Sequence, residues 1–284
     1  MSSIVLFGPP GGGKTTLAAS MHKLGYIPRF IDLDRKVRTM LNLQPLLKEG
    51  KIQVIDFKSK LTEASFSKRV KLGPDTGPLQ QPQGYLELAD IITELEEDPS
   101  EDHLRVVPVL DSLTRVIEHM KRWIFHIQKR NTISMPDWGT ILTNLEELLD
   151  AMVNLQVPLG DEPARYPHVI LIAHDKLEKD EFTGQVLIKP LIDGAMRDKI
   201  GSVVDEMYYC TVEVDKQGEA EYLVTTKPVG KINQARTSRE IDTYMPADFS
   251  ELFKGEEYEE PESISKKGGE KKDAKGRNAK SRTK

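Results

Sequence analysis

The stretch "FGPPGGGKTT", residues 7–16, constrains this chain more than any other. An apolar run, "SIVLF" (3–7), leads into it, and an amphipathic run, "KTTLAASMHKLG" (14–25), leads out. Glycine and proline normally punctuate a loop. Here Gly8, Pro9, Pro10, Gly11, Gly12 and Gly13 stand between a strand and a helix, with Lys14, Thr15 and Thr16 at the exit. Glycines reach backbone angles closed to other residues, so successive N–H groups can turn inward around an anion. The first N–H groups of the following helix are unpaired and favour the same anion. The spacing Gly8–x4–Gly13–Lys14–Thr15 fits the phosphate-binding P-loop. It predicts that residues 8–16 cradle a nucleotide, that Lys14 reaches its β and γ phosphates, and that the Thr15 hydroxyl holds Mg²⁺.

The rest of the chain alternates apolar runs of strand length with runs of helical period. Strands are expected at "IVLF" (4–7), "IPRFIDLD" (27–34), "IQVIDF" (52–57), "RVVPVLDSLT" (105–114) and "HVILIAHD" (168–175). Helices are expected at 85–97, 116–128 and 139–155. Shorter β-like runs follow at 184–190, 203–214 and 219–227, the last two joined by a hairpin turn at Lys216-Gln217-Gly218. Residues 58–84 read as a long polar loop. The alternation argues for an α/β fold, a mostly parallel sheet flanked by helices with C-terminal β-hairpin additions. One domain is expected over 1–253, followed by a disordered acidic-then-basic tail over 254–284. In parallel sheets ligands collect at the C-terminal ends of strands, where Gly8, Asp34, Asp111 and His174 all fall.

These termini supply the candidate chemistry. Asp111-Ser112 ends an apolar strand, which suits a carboxylate ordering the Mg²⁺ shell; a helix N-cap is the alternative. Hydrolysis needs a group that polarises water. Asp32 and Asp34, two apart on a strand, are expected on one face, and Asp34, nearer the end, is the candidate base; pairing with Arg35 or Lys36 is the alternative. His174 is placed to touch a γ-phosphate and report its loss. Lys227, Lys231 and Arg236 are candidate fingers acting on a neighbouring subunit's nucleotide. No His/Cys metal cluster and no Ser-His-Asp order is legible, and Trp138-Gly139 reads as structural.

Charge and cysteine usage narrow the partners. The chain of 284 residues is 38% hydrophobic and 30% charged, and no apolar run approaches the roughly 20 residues that span a bilayer. The single cysteine, Cys210, excludes an internal disulfide and a cysteine zinc site. With no signal-peptide pattern before the glycine loop, a cytoplasmic location is expected. The net charge of −5 hides an asymmetry: nine basic and two acidic side chains over 266–284 leave the remainder near −12. Any nucleic-acid contact must then come from a local patch or the tail.

Taken together, "GPPGGGKTT", "IDLDR", "VLDSLT", "DWG" and "LIAHDK" resemble the phage nucleotide-binding proteins with a RecA-like AAA-type domain, which include the RecA-like single-strand annealing proteins of phage recombination. The resemblance covers about residues 3–250. It implies a RecA-like P-loop NTPase core, ATP and Mg²⁺ as cofactors, ATP hydrolysis, homo-oligomers, and work on single-stranded DNA in recombination or replication. Asp34 stands where RecA-type ATPases have glutamate, and His174 takes the position of their polar switch residue. Two DNA-binding loops are implied, at about 126–138 and 175–197, with Lys129, Arg130, Lys176, Lys179, Lys189 and Arg197 as contacts. Two other readings remain: a low-turnover nucleotide sensor that recruits a replication or single-strand-binding protein, and a small-molecule P-loop kinase.

Overall fold

A computed structural model describes residues 1–55, 57, 84–97, 101–128, 132–157, 166–179, 184–214 and 217–259. The strands are β1 (Ser2–Gly8), β2 (Ile27–Asp32), β3 (Gln53–Ile55), β4 (Val106–Asp111), β5 (His168–Lys179), β6 (Val186–Pro190), β7 (Glu206–Val214), β8 (Ala220–Thr225) and β9 (Tyr244–Pro246). The α-helices are α1 (Lys14–Ala19), α2 (Gln44–Lys48), α3 (Gly84–Glu97), α4 (Leu113–Gln128), α5 (Met135–Asn154), α6 (Met196–Val203) and α7 (Phe249–Leu252). The sheet runs β3-β2-β4-β5-β1-β7-β8-β9, parallel from β3 to β7 and antiparallel beyond. β6 pairs antiparallel with the far half of β5.

Both faces of β1 are buried, as its unbroken apolar run requires. Successive side chains alternate between the two faces. Val5 and Phe7 join one core with Leu88 of α3, Met120 of α4, Leu149 of α5 and Ile200 of α6. Ile4 and Leu6 join the other with Leu17 of α1 and Phe249 of α7. The expected α/β architecture is therefore present, with helices on both sides of a mostly parallel sheet. Among the described residues no helix is long and apolar enough to cross a membrane.

Register fixes where the polar termini meet. Gly8 lies beside His174, and Asp32 beside Asp111. Three expectations change. Asp34 is not on a strand: β2 stops at Asp32, because the Arg35 N–H donates back to the Asp32 carbonyl at 3.3 Å and Arg35 takes a φ of 57°, turning the chain. The expected loop over 175–197 holds a hairpin, since β5 continues to Lys179 and pairs with β6, as its alternating polar pattern permits. The helix expected at 139 begins at Met135, where Ser134 and Asp137 form a capping box and Pro136 sits in the first turn. Trp138 and Gly139 therefore lie inside it, and the Trp138 ring faces the Lys121 ammonium at 4.8 Å. β7 and β8 pair antiparallel, Val214 opposite Ala220, while Lys216 of the expected turn lies outside the described residues. The loop over 58–83, most of the tail, and Lys129 and Arg130 lie outside the described residues. The packed chain runs past 253: the Tyr258 N–H donates to the Leu24 carbonyl at 2.7 Å, and Arg105 lies 5.8 Å over its ring.

The end of the sheet opposite the glycine loop holds a buried histidine. His168 is 2% exposed, with Tyr26 and Phe253 rings at 5.2 and 5.3 Å, and its Nδ1 has no hydrogen-bond partner. Burial, with Arg239 and the terminal amino group adding repulsion, pushes its pKa down to about 3. A folded pKa below the unfolded one stabilises above the unfolded value and is lost as pH falls toward 3. Histidine's unfolded pKa is about 6.5. His168→Phe keeps the ring contacts and removes the titration. Between pH 7 and pH 5, urea unfolding of the variant should lose about 2 kcal/mol less than the parent; equal losses would show that His168 does not set the acid limit.

Candidate functional site

The site is built where β1 leaves the sheet. At Gly8, φ is 153°, and a Cβ there would lie 2.1 Å from the Cys210 carbonyl oxygen on β7. Only a glycine lets the loop turn this close to the neighbouring strand. The loop closes with the Gly12 N–H donating to the Pro9 carbonyl at 3.0 Å, and Gly13, φ 83°, hands over to α1. Cys210 is fully buried, with its thiol pushed up to about 12 by burial, so it packs and does not react.

Lys14 is 6% exposed and folds back over the loop, donating to the carbonyls of Gly8 and Pro9, both at 2.7 Å. Burial lowers its pKa, while the Asp111 and Asp175 charges act the other way. An ammonium held by two loop carbonyls is ready to exchange them for phosphate oxygens, which are charged acceptors. Thr15, next in the chain, donates through Oγ1 to Asp111 Oδ2 at 2.8 Å. This bond joins the loop to the end of β4 across the intervening β5.

The acids around that bond are held out of water. Burial pushes the Asp111 carboxyl up to about 6; the Thr15 hydrogen bond opposes this, and Asp32 and Asp34 add to it. Asp32, 3% exposed, is also raised by burial, although its Oδ2 accepts the Val37 N–H at 2.7 Å. Its Oδ1 is buried with no partner. Unneutralised buried carboxylates beside a hydroxyl favour a hard cation with oxygen ligands. Among the described residues no group of three or more His, Cys, Asp or Glu holds a metal by itself. A threonine hydroxyl with one or two carboxylates fits Mg²⁺, which retains waters and phosphate oxygens in its shell.

Asp34 and His174 flank this centre. Asp34 Oδ1 accepts from Arg115 Nε at 2.6 Å, and Ser112 Oγ lies 3.5 Å from Oδ2. Its partner is thus on α4, not the adjacent Arg35 or Lys36. The His174 backbone donates to Thr114 Oγ1 at 3.3 Å, and the ring Nδ1 is buried without a partner. Burial, then the Lys14 charge, lowers its pKa, so the ring is neutral and available as donor or acceptor.

The outlying candidates are not gathered here. Arg236 caps the end of α6, donating to the carbonyls of Gly201, Val204 and Asp205. A finger role would require breaking those bonds. Lys227 and Lys231 are exposed, and the Lys231 carbonyl accepts from the Ile188 N–H of β6. Lys189 is paired with Asp198 at 2.7 Å and Glu178 at 3.2 Å, and Arg197 with Glu178 at 3.1 Å. Lys176 and Lys179 are exposed on β5. Two participants escape a sequence reading. Arg115 gives no signal beyond its place in the first turn of α4, and Tyr222, which packs on Gly13, is one aromatic in a hairpin.

A family model described as an AAA domain matches residues 2–238, a span that contains every element of this site. The chain belongs to the AAA domain family. The glycine loop, Lys14, Thr15 and Asp111 all lie within the matched span. No curated protein matches the sequence. Among solved structures, the AAA domain is similar to the ATP synthase subunit NeqB from Nanoarcheaum equitans, at 11% identity and a TM-score of 0.42. That match covers 76% of this chain and 46% of the subunit, so the chain spans about half of its length.

Lys14→Ala removes a charged donor to phosphate. Titration calorimetry should show ATP affinity lowered by about 100-fold, with the fold retained by circular dichroism. Gly8→Ala should instead lower the thermal midpoint, because the Cys210 carbonyl cannot be displaced without distorting β7. Unchanged binding in the first variant, or unchanged stability in the second, contradicts the geometry.

Proposed function

We propose that this AAA domain binds Mg²⁺·ATP at residues 8–16, hydrolyses it slowly, and uses the nucleotide state to handle single-stranded DNA. One observation carries the reading: the 2.8 Å bond from Thr15 to Asp111, which brings the end of β4 against the phosphate loop among buried, unneutralised acids. When bound, Mg²⁺ would be held by Thr15 and ordered by Asp111, and would neutralise charge developing on the phosphates. Lys14 would release Gly8 and Pro9 to bind the β and γ oxygens. His174, level with Gly8 in the sheet, would contact the terminal phosphate.

Asp34 is the base in this reading, and its pairing explains why turnover would be slow. A carboxylate already accepting a guanidinium hydrogen bond at 2.6 Å is a poor acceptor for a water proton. Arg115 lies near the start of α4, whose 16 residues end at Gln128, just before Lys129 and Arg130. A DNA strand bound at those basic residues would pull on the helix that holds Asp34 in check. The same ion pair favours the second reading, a nucleotide sensor with little turnover that recruits a replication partner.

ATPase rates with and without single-stranded DNA test the choice. Stimulation by DNA supports the first reading, and its loss in the Lys129→Ala, Arg130→Ala double variant places the contact; an unstimulated rate supports the sensor. Asp34→Asn should lower turnover by roughly 10²-fold or more while ATP affinity is kept. Arg115→Ala should raise the basal rate; a fall would contradict its restraining role.

A further inference from the structure

The hairpin formed by β7 and β8 projects past the phosphate loop, and its aromatic side chain at 222 covers the loop's exit. A Cβ built on Gly13 would lie 2.8 Å from Tyr222 Cδ1, so the ring packs directly on the residue before Lys14. Yet Tyr222 is 47% exposed, which leaves much of the ring open beside the loop. Alternation along β8 sets Tyr222 on the side of Val224, which belongs to the core shared with Leu17 of α1. The ring therefore stands on the same side of the sheet as the helix the loop feeds. Glu213 and Glu221, which are register partners, alternate to the opposite side.

The direction of a bound triphosphate follows from sheet order. Asp111 and His174 stand on β4 and β5, to one side of β1, and Thr15 bonds toward them. The reacting end of the chain of phosphates therefore lies on that side. Its other end, which carries the sugar and base, would then leave toward the opposite side, where β7 and β8 lie. Two strand spacings, about 10 Å, separate β1 from β8. That is where the half-open Tyr222 ring lies.

We propose that Tyr222 is the base-stacking residue of the nucleotide site: the flat base of a nucleoside triphosphate lies on its ring. The inference rests on the phosphate-cradle reading above and adds what that cradle lacks, a reason to prefer a nucleoside triphosphate over bare triphosphate. An aromatic face stacks any base and contributes nothing to phosphate binding.

The test compares ATP with inorganic tripolyphosphate, both with Mg²⁺, by calorimetry on the full chain. Tyr222→Leu fills the space over Gly13 without an aromatic face, and Tyr222→Phe keeps the face. In the Leu variant ATP should bind about tenfold or more weakly, with tripolyphosphate binding unchanged; the Phe variant should bind both as the parent does. Unchanged ATP affinity in the Leu variant overturns the proposal. So does an equal loss for both ligands, because the ring would then be a prop for the loop. A parent protein that binds neither ligand overturns the cradle reading itself, and this one with it.

Discussion

Backbone lying directly on backbone is the constraint on which the rest of the site depends. The loop after β1 rests on the carbonyl of Cys210, and no side chain fits between them at position 8. This contact turns the chain out of the sheet within a few residues and aims it into α1. It also makes β7 part of the site through its backbone. The hairpin that β7 begins then carries Tyr222 back over the same loop. One close approach thereby ties the glycine loop to the sheet and to its antiparallel extension.

Charge is the second organising element. Lys14, Asp32 and Asp111 are all nearly excluded from water, and each has its charged form disfavoured by burial. They offset one another only in part: Lys14 spends its donors on carbonyls, and Asp32 keeps one oxygen without a partner. An anion at the loop and a divalent cation between Thr15 and Asp111 would complete what the protein leaves unbalanced. Asp34 differs, since Arg115 already neutralises it. The protein thus leaves one half of the site with unbalanced charge and pairs the charge in the other.

Much of this was legible in the sequence because the signals are local. A glycine loop between strand and helix defines itself, and the apolar runs that end in Asp111 and His174 gave their strands and their end of the sheet. What was not legible depends on tertiary contact. Asp34 looked like a strand residue because "IDLDR" continues the alternation, but the turn closed by the Arg35 N–H on the Asp32 carbonyl ends β2 two residues early. The hairpin of β5 and β6 was hidden because polar alternation in "DKLEK" reads equally well as loop. Arg115 and Tyr222 meet their partners across 81 and 209 residues of sequence, a separation that no local pattern encodes. The basic residues at 176–197 looked like a surface for phosphates, but Glu178 and Asp198 already occupy Lys189 and Arg197.

The central claim is that a nucleotide docks on the loop after β1 with its terminal phosphate toward β4 and β5. Amide hydrogen exchange with Mg²⁺ and a non-hydrolysable ATP analogue tests it most directly. A nucleotide docked there should slow exchange at residues 10–16, around His174 in β5, and at the start of α4. Protection confined to another edge of the sheet, with residues 10–16 exchanging as in the free protein, would contradict it.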